Sequence, residues 1–122
     1  MDRMVLVEPD EDLTACVTRF FSDRFEVCHV STLEEAQAAL RDREARILFA
    51  NIDSPGRRHA SIIEQIHSDQ PQMRIIVSYL SPTSGESWEK SFNECVDVFV
   101  RKPYRVFEVD KVLRALGKKE RA

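Results

Sequence analysis

A chain of 122 residues is of single-domain size, and with 43% apolar and 32% charged residues it has an ordinary soluble, globular composition. A formal charge of −3 argues against nucleic acid as the main partner, because a phosphate backbone calls for a basic field. The three cysteines (Cys16, Cys28, Cys95) are odd in number and lack metal-ligand spacing, so they read as reduced, partly buried thiols. No apolar run approaches the ~18 residues of a membrane span and no signal-peptide core opens the chain, which points to a cytoplasmic protein with no membrane partner.

Strand and helix patterns alternate five times. Arg3 to Val7 is a short apolar strand, and a helix follows from about Asp10 to Asp23, with Leu13, Cys16, Val17 and Phe20 on its apolar face. Phe25 to Val30 alternates as an outer strand does. Thr32 opens the second helix, where Glu35 completes a capping box and Leu33, Ala36 and Leu40 form the buried stripe. Arg46 to Ala50 is the third strand, followed by a helix over about His59 to Asp69 with Ile62, Ile63 and Ile66 inward. Arg74 to Tyr79 has no alternation, so this fourth strand is expected to be covered on both faces. A weaker helix is expected from about Ser84 to Glu94, then a fifth strand from Val96 to Val100. The last helix starts at Pro103, turns Val106, Val109, Val112, Leu113 and Leu116 to the core, and is capped by Gly117. Residues 1–117 thus form one domain, and 118–122 read as a mobile tail.

Strict βα alternation with short connections predicts an α/β fold: a doubly wound parallel sheet with helices on both faces. In such sheets the functional crevice lies beyond the carboxyl ends of the strands. Glu8, Pro9 and Asp10 follow the first strand, Asn51 and Asp53 the third, Ser78 the fourth, and Lys102-Pro103 the fifth. With only three glycines and no Gly-rich loop after the first strand, the chain is not read as a nucleotide or flavin binder. His29, His59 and His67 lack metal spacing and read as solvated or capping residues. Arg57-Arg58-His59 is too short a basic patch to imply nucleic acid.

In these landmarks the chain resembles the receiver domains of bacterial response regulators, over about Arg3 to Leu116. Val5 to Leu13 looks like the opening strand and acidic cluster, and Asn51-Ile52-Asp53-Ser54-Pro55-Gly56 like the acceptor strand end with its Pro-Gly turn. Ser78 falls at the hydroxyl position, and Phe99-Val100-Arg101-Lys102-Pro103-Tyr104 is similar to the aromatic and Lys-Pro-aromatic signature. The resemblance implies a flavodoxin-like, five-stranded sheet of order 2-1-3-4-5, a cis Lys102-Pro103 peptide and a role in two-component (phosphorelay) signal transduction.

The departures concern chemistry. In the family, an acidic pair and an acceptor aspartate bind a divalent metal, usually magnesium. Here Glu8 keeps one carboxylate, Pro9 takes the second acidic position and Asn51 replaces the acceptor. A carboxamide is neutral and poorly nucleophilic, so it cannot attack phosphorus as a carboxylate does. Magnesium relies on carboxylate oxygens and is expected to bind weakly or not at all, and no other cofactor is expected. Asp10 and Asp53 sit off register and read as a helix-cap and a loop acid. Lys102 is expected to pair with Glu8, since a cation in a crevice is costly without a partner, and Ser78 to hydrogen-bond Asn51.

The expectation is a degenerate phosphoacceptor site (Asn51, Glu8, Pro9, Ser78, Lys102) in a pseudo-receiver, not an enzyme. It would act by protein–protein contact through the face formed by the Ser84–Glu94 helix, the fifth strand and the last helix, a homodimer being one form of that contact. Trp88 and Phe92, four residues apart, with Tyr79, Arg101 and Tyr104, are the candidate contact residues. The alternatives are a working phosphoacceptor using Asp53 or a deamidated Asn51, and the receiver part of a longer DNA-binding regulator.

Overall fold

The computed structural model describes residues 1–52, 57–80, 92 and 94–117. Along them run β1 (Asp2–Val7), α1 (Glu11–Phe21), β2 (Phe25–Val30), α2 (Leu33–Asp42), β3 (Ile47–Asn51), α3 (Arg57–Asp69), β4 (Arg74–Leu80), β5 (Val98–Lys102) and α4 (Val106–Gly117). The strands form one parallel sheet, as the alternation predicts, in the order β2-β1-β3-β4-β5 that the resemblance implies.

Side chains alternate across a strand with period two, so the sheet has two apolar faces and two cores. Val5, Val7, Leu48, Ala50, Ile75 and Val77 pack with Leu33, Ala36 and Leu40 of α2 and Ala60, Ile63 and Ile66 of α3. Met4, Leu6, Ile47, Phe49 and Ile76 pack with Val17 and Phe21 of α1 and Val109 and Leu113 of α4 on the opposite face. Every residue of β3 is buried, because β3 lies between β1 and β4 and is covered on both sides. The Thr32–Glu35 capping box is present in full: Thr32 accepts from the Glu35 N–H (3.1 Å), and the Glu35 carboxylate accepts from the Thr32 N–H (3.1 Å).

Local periodicity misassigned the inner face of α1 and the starts of β5 and α4. On α1 the buried stripe is Val17 and Phe21 with Leu13 beside it, while Cys16 and Phe20 are exposed. The aromatic cluster decides this: Phe21 meets Phe25 edge-on at 6.0 Å, and the Arg24 guanidinium sits 5.5 Å from the Phe21 ring centre. Of the three cysteines, Cys95 is buried and Cys28 half-buried. The fifth strand begins two residues later than expected, at Val98. Asp97 starts the ladder instead: its N–H donates to the Ile75 carbonyl (2.8 Å) and its carboxylate accepts from the Ile75 N–H (2.7 Å). The last helix begins at Val106, not Pro103. Its first turn closes on Arg105, whose N–H donates to the Glu108 carboxylate (3.3 Å) and whose carbonyl accepts from the Glu108 N–H (2.9 Å).

The Lys102–Pro103 peptide is cis, as expected. Glu94, where the weaker helix was expected to end, has a left-handed φ of 65°, which no continuing helix allows. Most of that helix, including Trp88, lies outside the described residues, as do Asp53, the Ser54-Pro55-Gly56 turn and the tail. Among the described residues, no helix is long and apolar enough to cross a membrane.

Candidate functional site

The same period of two that builds the α1/α4 core also builds the site. Met4 and Leu6 are followed on their face by Glu8, Ile47 and Phe49 by Asn51, Ile76 by Ser78, and Val100 by Lys102. Four strands thus carry polar side chains at or near their carboxyl ends on one face, above one apolar stack. Register completes the convergence, since Asn51 lies directly beside Ser78 in the β3–β4 ladder. Glu8, Asn51 and Ser78 are the three polar or charged residues buried among those described, at 2%, 5% and 0% exposure.

Asn51 is held by three internal hydrogen bonds. Its Nδ2 donates to the Val7 carbonyl (3.2 Å), and its Oδ1 accepts from the Ser78 hydroxyl and from the Tyr104 hydroxyl, the latter at 2.9 Å. The amide orientation follows from the partners, because a carbonyl oxygen only accepts and the nitrogen must face Val7. Tyr104 arrives from the connection between β5 and α4 and packs on Phe49 at 5.8 Å between ring centres. Burial, and after it the negative charge of Glu8, pushes the Tyr104 phenol up to about 12.

Glu8 is held from three sides. Its Oε2 accepts from the Asp10 N–H (2.9 Å), while its backbone carbonyl accepts from His29 Nε2–H (2.7 Å) and from the Thr14 hydroxyl (3.4 Å). Its Oε1 is buried without a hydrogen bond and lies 3.8 Å from Lys102 Nζ. That is an ion pair at the outer limit of direct contact, in which the two charges balance across the crevice. Asp10 points elsewhere. It caps α1, its carboxylate accepting from the Leu13 N–H at 3.0 Å. Pro9 is exposed and offers no side-chain oxygen. Among the described residues, no three His, Cys, Asp or Glu side chains are grouped so as to hold a metal ion.

The residues proposed for a contact surface divide. Phe92 is a core residue, 1% exposed and edge-on to Phe99 at 5.7 Å, and Tyr79 is buried beside the same ring. Neither can dock a partner as they stand. The helical spacing that paired Phe92 with Trp88 says nothing about which side of the pair faces the sheet. Arg101 is exposed on the edge strand, and Leu80 is exposed at the end of β4. Tyr104, expected on that surface, turns its hydroxyl into the site. The one signal for this in the chain is a phenol oxygen two residues beyond Lys102. His29 and Thr14, which brace Glu8, carried no such signal.

No family model matches this chain, and no curated protein matches it in sequence. Its structural neighbours include response regulator receiver domains. A response regulator receiver domain protein (CheY-like) from Methanospirillum hungatei superposes with a TM-score of 0.80 at 20% identity, over 97% of this chain and 95% of that one. An orphan response regulator of H. pylori gives a TM-score of 0.77 at 20% identity over 93% and 94%. NtrX from Brucella abortus gives 0.76 at 18% identity over 93% of this chain and 25% of that one, so this chain spans a quarter of NtrX. At such identities the likeness establishes the fold: the chain has the receiver-domain fold of two-component response regulators.

Proposed function

We propose that the chain is a phosphorylation-independent receiver-like domain of two-component signalling, a pseudo-receiver that acts by protein–protein contact and not by catalysis. The observation that carries this is Asn51. A carboxamide stands at the end of β3, and both acceptor positions of its oxygen are taken by the Ser78 and Tyr104 hydroxyls. An acyl phosphate needs an anionic oxygen free to attack. Here the nearest candidate oxygen is neutral and already hydrogen-bonded.

Magnesium fits poorly. It requires near-octahedral oxygen ligands, usually carboxylates with substrate phosphate. Glu8 Oε1 is the single carboxylate oxygen on offer in the crevice among the described residues, and Lys102 already faces it. Weak or absent magnesium binding follows, and no catalytic step is assigned. The partner is read as a protein, with neither nucleic acid nor membrane involved, and the contact is placed on the exposed edge around Arg101 and Leu80. Self-association through that edge is one form such contact can take.

The test is incubation with acetyl phosphate or beryllofluoride plus magnesium. Mass and amide spectra are expected to stay unchanged. Stoichiometric gain of a phosphoryl group, or saturable shifts centred on residues 51–56, would overturn the reading.

A further inference from the structure

The connection between β5 and α4 leaves an edge strand, where loops ordinarily run over the surface. Here Pro103 and Arg105 are exposed, and Tyr104 between them turns its side chain inward. The Tyr104 ring packs on Phe49, and phenylalanine would serve that contact equally well. The hydroxyl serves something else. It reaches Asn51 Oδ1 at 2.9 Å, on a carboxamide oxygen whose other acceptor position is used by Ser78. Two hydroxyls, one from β4 and one from the β5–α4 connection, therefore close on one oxygen of β3.

We propose that Tyr104 is a positioning clasp: its hydroxyl, held on Asn51 Oδ1 beside Ser78, ties the entry of α4 to the central strand β3 and so sets the position of α4 without any phosphoryl group. The inference rests on reading the site as chemically silent, and it names what takes the place of phosphorylation. A chain with an acceptor carboxylate would have to clear this oxygen before reacting; this chain fills it from within. The polarity of the clasp suits the task. A neutral amide and two hydroxyls leave no uncompensated charge when buried, whereas a carboxylate at position 51 would face the Val7 carbonyl. The raised phenol keeps Tyr104 protonated, and therefore a donor, at any physiological pH.

The clasp is tested by amide hydrogen exchange across α4 in the wild type and in Tyr104→Phe, which removes one oxygen and keeps the ring. Exchange from Val109 to Leu113 is expected to quicken about tenfold, the ratio that corresponds to one net hydrogen bond. The β1 and β3 amides should stay within about twofold. In an Asn51→Ala background the same substitution should have a smaller effect, because the Asn51 oxygen is gone and Ser78 alone remains to pair with the hydroxyl. An unchanged α4 overturns the clasp, as does an equal effect in both backgrounds or uniform loss of protection over the sheet. Should Asn51→Ala fail to fold, the Asn51 side-chain amide resonance decides. Tyr104→Phe must shift it, and an unmoved resonance overturns the proposal. Acetyl phosphate treatment of the wild type asks the separate question. Phosphorylation would end the silent-site reading, while the exchange data alone judge the clasp.

Discussion

Asn51→Asp, the substitution that restores an acceptor carboxylate, is expected to destabilise this protein. The amide nitrogen donates to the Val7 carbonyl at 3.2 Å in a position only 5% exposed. An ionised carboxylate has no hydrogen to give, so the Val7 carbonyl loses its donor and meets a like partial charge. Stranding one buried polar group costs about 1–3 kcal/mol. The Ser78 and Tyr104 hydroxyls would bond the carboxylate more strongly than the amide and offset part of that loss. The buried Glu8 carboxylate adds repulsion in the opposite direction. A net loss of about 2 kcal/mol lowers a urea midpoint by about 1 M, given slopes of about 1–3 kcal/mol/M.

The loss should depend on pH. Burial, the Val7 carbonyl and Glu8 all disfavour ionisation, so the new carboxyl has a folded-state pKa above its unfolded value of about 3.9. Protonated, it donates to Val7 as the amide does. Its favourable contribution is thus present below about pH 3.9 and lost as pH rises through the folded value. Urea unfolding of wild type and variant at pH 7 and pH 4 should show a large deficit at pH 7 that shrinks at pH 4. Equal stability at pH 7, or the same deficit at both, would refute the argument. With acetyl phosphate and magnesium the variant should react incompletely, because Pro9 supplies no metal-binding oxygen; full reaction would show that Glu8 with Asp10 suffices.

Phe92→Ala should lower stability by about 3–5 kcal/mol, the usual cost of emptying a buried phenylalanine site, since Phe92 packs against Phe99 in the core. An unchanged melting temperature with lost partner binding would instead return Phe92 to the surface. Tyr104, raised to about 12 in the fold against about 10 unfolded, contributes stability that is whole below pH 10 and lost as pH climbs through 12. Alkaline unfolding curves should therefore be shallower in Tyr104→Phe, and identical slopes would contradict the assignment. Burial alone would raise the Asp110 carboxyl, but hydrogen bonds from Arg24 and Arg114 outweigh it and hold it below the ordinary aspartate value. Its contribution is present above about pH 3.9 and lost as pH falls through the lower folded value. Asp110→Asn should flatten acid unfolding below pH 4, and an unaltered acid limb would show that the pair carries no net stability.

Much of the architecture was legible from spacing. Alternation of five strand patterns with helical ones fixes a parallel, doubly wound sheet, because parallel strands need crossovers and crossovers need helices. Counting by twos back from Glu8, Asn51, Ser78 and Lys102 reaches Leu6, Phe49, Ile76 and Val100. Within each strand the chain alone thus ties the site residue to the face of the residue two before it, while the packed sheet brings those four faces together. That a carboxamide stands where chemistry would need a carboxylate is likewise a fact of sequence. These conclusions rest on period and residue type, which are local properties.

What tertiary structure decided was which side chains meet across long stretches of chain. Periodicity could not choose between Phe20 and Phe21 for the inner face of α1; the rings of Phe21 and Phe25 and the Arg24 cation settle it. Nor could it tell that Phe92 faces Phe99, or that Asp97 begins the β4–β5 ladder by clamping Ile75. The site shows this most sharply. Tyr104 and Asn51 are separated by 53 positions, and their hydrogen bond exists because β5 ends beside β4 and the next three residues fold back across the strand ends before α4 begins. Residue type and spacing determine what each position can offer, and only the packed chain determines which donor reaches which acceptor.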